Sequence, residues 1–523
     1  MDLKIIIFFV LFASVVFGLY FCLPKKYRYI VLLVFSILFY AIYSKFLTFF
    51  LLSTIVTIYC AGLWMNDIDK RCNLARDGKE KEEKKKIKAQ YRKRKLLVLW
   101  LFIAINLSFL ILIKYFGFIG SVYKGFLSWF NVSAKWPVLK IALPLGISYY
   151  TLSAIGYMID IERGKYAGEK NPLKVALFVS YFPQMQEGPF ATYDALGPQL
   201  YEGHEFDLTR VTKGMMLVCW GFLKKIVVAD RFAIIASAIF KDYASVGGLA
   251  VVWGILAFTI QMYAEFSGII DIALGISEMF GINLAKNFEQ PFFSQTVSGF
   301  WRRWHMSLGA WFREYVFYSI SMSKGMTKMN KKLHGKVNTF FEMFIPSVIA
   351  LFFVWFLNGL WHGADVKYIV YGLYWYVIMV CGMCIEPLFN LIYKKANWDK
   401  NRWWFKWLRI ARTFILVNIG FLMFRANTLS DFGGMFVQIF KGGPVGLVGL
   451  GIIDVYDLVW CFIGLAMIVT VDVLMEKKID IREKIASKTG MAFLSTLCMF
   501  AIILMFGAYG DGYIPPDPIY GAF

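Results

Sequence analysis

Apolar positions in this chain fall in long unbroken blocks. Ile5–Leu23, Phe46–Asn66, Leu96–Ile113, Tyr368–Ile385 and Met491–Gly510 contain no charged side chain, and each is close to the roughly 20 residues a helix needs to cross a hydrocarbon layer. Backbone N–H and C=O groups find no water at that depth, so each block must close its hydrogen bonds internally as a helix. The pattern predicts an all-α polytopic membrane protein with roughly 11–13 membrane-embedded helices and amphipathic helices at the interface. No small-residue cleavage signal follows Ile5–Leu23, which therefore reads as a retained first span.

Charge is concentrated between these blocks. Lys70–Lys95 holds 13 basic and 4 acidic residues, and Lys324–Lys336 holds 5 lysines and no acid. Lys394–Arg412 and Lys477–Lys488 are also basic, and all four segments read as loops. Positive segments beside spans stay on the cytoplasmic side. The chain then runs with its N-terminus outside, Lys25–Arg28 inside, Ser44–Lys45 outside, Lys70–Lys95 inside and Asp511–Phe523 outside. The net charge of +21 is accounted for by orientation and by contact with anionic lipid headgroups, without a nucleic-acid partner.

Composition agrees with this reading. Hydrophobic residues make up 59% of the 523 and charged residues 17%, too apolar for one water-soluble core. Disorder, a collagen repeat, a disulfide scaffold and a soluble nucleic-acid binder are excluded. The eight cysteines lie mostly within apolar blocks, where a thiol packs as a small hydrophobe. Cys381-Gly-Met-Cys384 has no second ligand pair, and no metal-binding motif appears. Gly442–Gly451 lacks the Lys-Ser/Thr of a phosphate loop and reads as an interhelical connection. There is no internal repeat. The chain is expected to be one membrane domain: about 1–95 as N-terminal spans and a basic segment, about 96–425 as a core, and about 426–523 as C-terminal spans.

Only four histidines are present. His204 and His334 lie in polar stretches and read as solvated. His305 belongs to Phe300-Trp-Arg-Arg-Trp-His-Met-Ser-Leu308. Drawn as one helix, this segment puts Trp301, Trp304, Leu308, Trp311 and Tyr315 on a single stripe, with Arg302, Arg303, Arg313 and Glu314 off it and His305 at its edge. Such a helix is expected to lie in the membrane interface. His362 closes an apolar run that begins near Met343, and an imidazole so deep in a span is a functional candidate. Asn358 stands one turn earlier on the same face, where it could orient the ring. Gly359 and Gly363 permit close helix approach. Both histidines can alternatively be structural. Imidazole near neutral pH can take a proton from a hydroxyl, as acyl transfer or a transporter's proton relay would require. Glu187, Glu265 and Asp271, with Lys114, Asp160 and Asp230, lie in or beside apolar runs and either pair or line a polar path.

At these histidines the chain resembles the membrane-bound O-acyltransferase family. The resemblance is carried by an ordered series of blocks: Leu143–Thr151 with Gly156–Asp160, Tyr181–Gln184 with Gly188-Pro189, Gly221–Lys225 with Ala229-Asp230, Gln261–Gly268, Phe300–Leu308, Gly359–Ala364 and Phe424–Ala426. Within the family it is similar to the bacterial branch of alginate O-acetyltransferases and the teichoic-acid D-alanyl transfer protein. The resemblance implies His362 as the catalytic histidine and His305 as the second active-site histidine. It also implies a core with a central funnel or tunnel, where a cytoplasmic acyl thioester meets an acceptor from the opposite side. Asn358, Trp361, Trp304 and Arg302 are the supporting candidates, and Glu265, Asp271 and Glu187 the candidates for a polar path.

The expected activity is transfer of an acyl group, acetyl by preference, from acetyl-CoA or an acyl-carrier pantetheine thioester to a hydroxyl of an extracytoplasmic polysaccharide or of a relay partner. His362 would act as base, while His305 would position donor or acceptor or stabilise oxyanion charge. The expected partners are the lipid bilayer of a bacterial plasma membrane, acyl-CoA or an acyl-carrier protein, the polysaccharide acceptor and an extracytoplasmic esterase-like transferase. D-alanyl transfer to teichoic acid from a carrier protein is the closest alternative, and a secondary transporter the third.

Overall fold

The computed structural model describes residues 3–139, 142–396, 399, 402–447 and 451–509. Those residues form helices joined by turns and irregular segments, with no strand. Among them are eight continuous stretches long and apolar enough to cross a membrane. One of these, Lys25–Arg76, contains two helices, Lys25–Ser44 and Thr48–Arg76. A further apolar helix, Leu3–Cys22, accounts for the first predicted span. The protein is a multi-pass integral membrane protein. Asp511–Phe523 and residues 448–450 of the glycine-rich connection fall outside the described residues. The rest of that connection, Gly442–Leu447 with Gly451, is non-helical as expected.

Two compact units are present. One contains Phe9–Asp207 with Ile276–Leu284. Its longest helices are Thr48–Arg76 and Lys81–Leu110, of 29 and 30 residues. At roughly 1.5 Å rise per residue each is longer than the ~30 Å hydrocarbon layer, so their charged ends extend beyond it. Here the structure corrects the sequence reading: most of Lys70–Lys95 is helix, with only residues 77–80 between the two elements. Lys, Glu and Arg are good helix formers, and charge alone does not mark a loop. Lys324–Leu333 and Ile481–Ala486 are likewise helices within segments expected to be loops. Lys95 is buried and donates to Asp69 at 2.6 Å, tying the two long helices together. The Ile147–Arg163 helix is bracketed by Gly146 and Gly164, both at positive φ. At Gly146 a Cβ would also strike the Met185 carbonyl, so glycine is required there.

The other unit contains Leu208–Gly275 and the described residues from Ala285 onward. The Leu208–Phe222 helix widens into a π-helical turn over Leu223–Ala229 and continues as Asp230–Lys241. It meets the Gly248–Met279 helix at two glycine pairs, Gly214 with Gly275 and Gly221 with Gly268. Small residues let these backbones approach closely. Thr339–His362 and Val366–Lys395 form an antiparallel pair. A Cβ on Gly359 would run into the Tyr368 carbonyl, and Gly372 of the same helix also packs close against Gly359. Trp375 is fully buried against Gly420 of the Trp403–Arg425 helix.

Candidate active site

His362 is the last residue of the Thr339–His362 helix. Gly363 follows in extended conformation, ending the helix at the imidazole. The ring is 3% exposed and lies edge-to-face between Tyr371 at 5.7 Å and Phe424 at 5.4 Å. Phe424 belongs to the Phe424–Ala426 block, whose purpose the sequence left open.

His305 sits differently from expectation. The single amphipathic helix predicted over this segment is two helices, Val297–Arg303 and Met306–Phe312. Trp304, extended, and His305, left-handed at φ 46° and ψ 51°, join them. The change of axis sends the aromatic stripe to separate places. Trp301 packs on Trp355 and Trp375, each at 5.0 Å. Trp304 stacks on Phe300 at 5.4 Å and meets Phe288 at 5.1 Å. Trp311 and Tyr315 pair at 5.3 Å beyond the break. His305 itself is 3% exposed, perpendicular to Phe266 at 4.7 Å and 6.0 Å from Trp361. Trp361 in turn lies 4.9 Å from His362, so one indole bridges both imidazoles. Burial pushes the His305 pKa well below the ordinary imidazole range, and the nearby His362 pushes it the same way. At neutral pH His305 is therefore uncharged.

The supporting candidates divide. Trp361 is buried against both histidines, whereas Trp304 is buried among phenylalanines and Tyr263. Arg302 is exposed. Asn358 is buried on the expected face but makes no hydrogen bond to His362 among the described residues. Sharing a helical face brings side chains near, yet the imidazole turns toward Tyr371 and Phe424 instead. One residue the sequence reading missed is Asn287, whose Oδ1 lies 3.3 Å from His305 Nδ1.

No family model matches the chain. The chain is 30% identical over 440 residues to the probable alginate O-acetylase AlgI of Pseudomonas syringae pv. tomato, covering 84% of this chain and 74% of that protein. The chain belongs to the membrane-bound O-acyltransferase family. It is also 27% identical to a peptidoglycan O-acetyltransferase of Helicobacter pylori, over 66% of this chain and 64% of that protein. To a teichoic acid D-alanyltransferase of Bacillus subtilis it is 30% identical, over 59% of this chain and 78% of that protein. The protein is thus an acyltransferase that takes an acyl donor, and the transporter reading falls.

In this membrane-bound O-acyltransferase the buried acids of the sequence reading are largely engaged. The glycine contacts at 221 and 268 bring the π-helical turn against the Gly248–Met279 helix. Lys225 Nζ reaches Glu265 at 3.0 Å and Asp230 at 2.8 Å, with all three side chains under a tenth exposed. Lys224 Nζ reaches Asp271 at 2.6 Å and donates to Ser267 Oγ at 2.8 Å. Gln261 Nε2 donates to the second Glu265 oxygen at 3.3 Å, and Tyr263 donates to Asp472 at 2.9 Å. Glu265 and Asp271 are members of ion pairs, and Glu187 is buried in the other unit.

Proposed function

We propose that this acyltransferase moves an acetyl group from a thioester donor, acetyl-CoA or a carrier-borne pantetheine, to a hydroxyl of an extracytoplasmic polysaccharide or of an esterase-like relay partner. The carrying observation is the meeting of two buried histidines from separate segments around Trp361. In this reading the acceptor hydroxyl gives its proton to His362. Its oxygen bonds to the thioester carbonyl carbon, the carbon–sulfur bond breaks, and the departing thiolate takes the proton back from the imidazolium. Products are an ester and a thiol. His305, uncharged, holds the acceptor so that its reacting hydroxyl stays in line. The O-acetylation relatives of Pseudomonas syringae pv. tomato and Helicobacter pylori extend over more of this chain than does the D-alanyltransferase of Bacillus subtilis, which supports acetyl as the group moved.

The test is acyl transfer in membranes carrying His362→Ala and His305→Asn, the latter chosen because asparagine tolerates a left-handed backbone. At normal abundance, loss of the base should lower turnover roughly 10²- to 10⁴-fold. Near wild-type turnover of His362→Ala sinks the assignment. Mild alkaline release followed by mass analysis should yield acetate; D-alanine in its place would move the protein to the other activity.

A further inference from the structure

Asn287 is 1% exposed and lies outside both histidine motifs. Its backbone carbonyl accepts the Met306 N–H at 2.9 Å. Its side-chain Oδ1 accepts the Ser307 N–H at 3.0 Å and the Ser307 hydroxyl at 2.8 Å. The same oxygen is the atom facing His305 Nδ1 at 3.3 Å. A backbone N–H can only donate, so the amide end turned toward Ser307 is oxygen and not nitrogen. That oxygen can only accept, so the His305 nitrogen beside it carries hydrogen. In a neutral imidazole the other nitrogen, Nε2, then has a lone pair and no hydrogen.

We infer that Asn287 is a positioning residue that holds His305 in the tautomer protonated on Nδ1, so that Nε2 accepts a hydrogen bond from a second hydroxyl of the acceptor, the reacting one giving its only hydrogen to His362, and cannot donate one to the oxyanion. This rests on the acyl-transfer reading above and chooses between the two roles that the sequence left open for His305. The amide also caps the start of the Met306–Phe312 helix by taking the Ser307 N–H, so backbone and ring are set by one atom. The left-handed conformation of His305 is what turns its ring back toward that atom while the chain continues into the next helix.

Four histidines make the tautomer directly readable by ¹⁵N NMR of histidine-labelled protein in detergent, with His305→Asn assigning the signals. The expected result is a protonated Nδ1 and a bare Nε2. Asn287→Ala should give a mixture of tautomers and lower kcat roughly 10- to 100-fold, the scale seen when a metal-bound histidine loses its orienting partner, with donor KM little changed. Asn287→Asp, which keeps an oxygen beside the ring, should restore Nδ1 protonation. A wild-type His305 protonated on Nε2 overturns the inference, as does Asn287→Ala with unchanged tautomer and unchanged turnover. Should Asn287→Ala fail to accumulate, the wild-type spectrum decides alone. The expected tautomer together with full turnover in both histidine variants would instead defeat the acyl-transfer reading.

Discussion

His305 combines a left-handed backbone with a buried ring. The first costs about 1–2 kcal/mol for an L-residue, and hydrogen bonds from the following turn to Asn287, each worth about 0.5–1.5 kcal/mol, offset it. The second makes stability depend on pH. An unfolded imidazole takes up a proton near pH ~6.5, whereas folded His305 resists protonation until lower pH. Between those values the unfolded state binds more protons. Its contribution is therefore complete above the unfolded value and is lost as pH falls below it, by up to about 1.4 kcal/mol per pH unit. Thermal unfolding in detergent should show this decline, and His305→Asn should flatten it; an equal slope in the variant would assign the effect elsewhere. His362 stood out in the sequence as a rare titratable residue in an apolar run, whereas His305, beside two arginines, drew notice as an active-site residue only through the family resemblance. Asn287 was not legible: it stands 18 positions before His305, and asparagine in a polar connection carries no signal of its own.

Among elements, the spans were the easiest to read, because uncharged runs of that length have one solution in a membrane. The break at His305 was hidden. Nothing in the sequence spacing of the aromatic positions marks the extended Trp304 and left-handed His305 that separate the two short helices. Ion pairing across the Gly221–Gly268 crossing was equally hidden, since it depends on how closely two backbones approach. The pairing has a measurable consequence. Lys225 is the cation shared by Glu265 and Asp230, and removing one member of a buried pair typically costs roughly 3–5 kcal/mol. Lys225→Met should lower abundance and melting temperature in detergent, and adding Glu265→Gln should recover part of both. An unaltered melting temperature for the single variant would show that the pair contributes nothing to the fold.

For the molecule as a whole, the distribution of basic residues sets an orientation that can be checked from outside. With the Lys70–Lys95 segment inside, residues 77–80 should resist added protease in intact cells and be cut in inverted vesicles; cutting in intact cells would reverse the topology. The division into two compact units was not readable along the chain, because one unit takes Ile276–Leu284 from beyond the start of the other. The connection at 77–80 has a further implication. It joins two helices that each exceed the membrane's thickness and that are already held together by Lys95 and Asp69. A gene divided at that point would yield two fragments, each beginning or ending in a complete span, and co-expression should let them find one another in the bilayer and restore a working enzyme without a covalent bond between them.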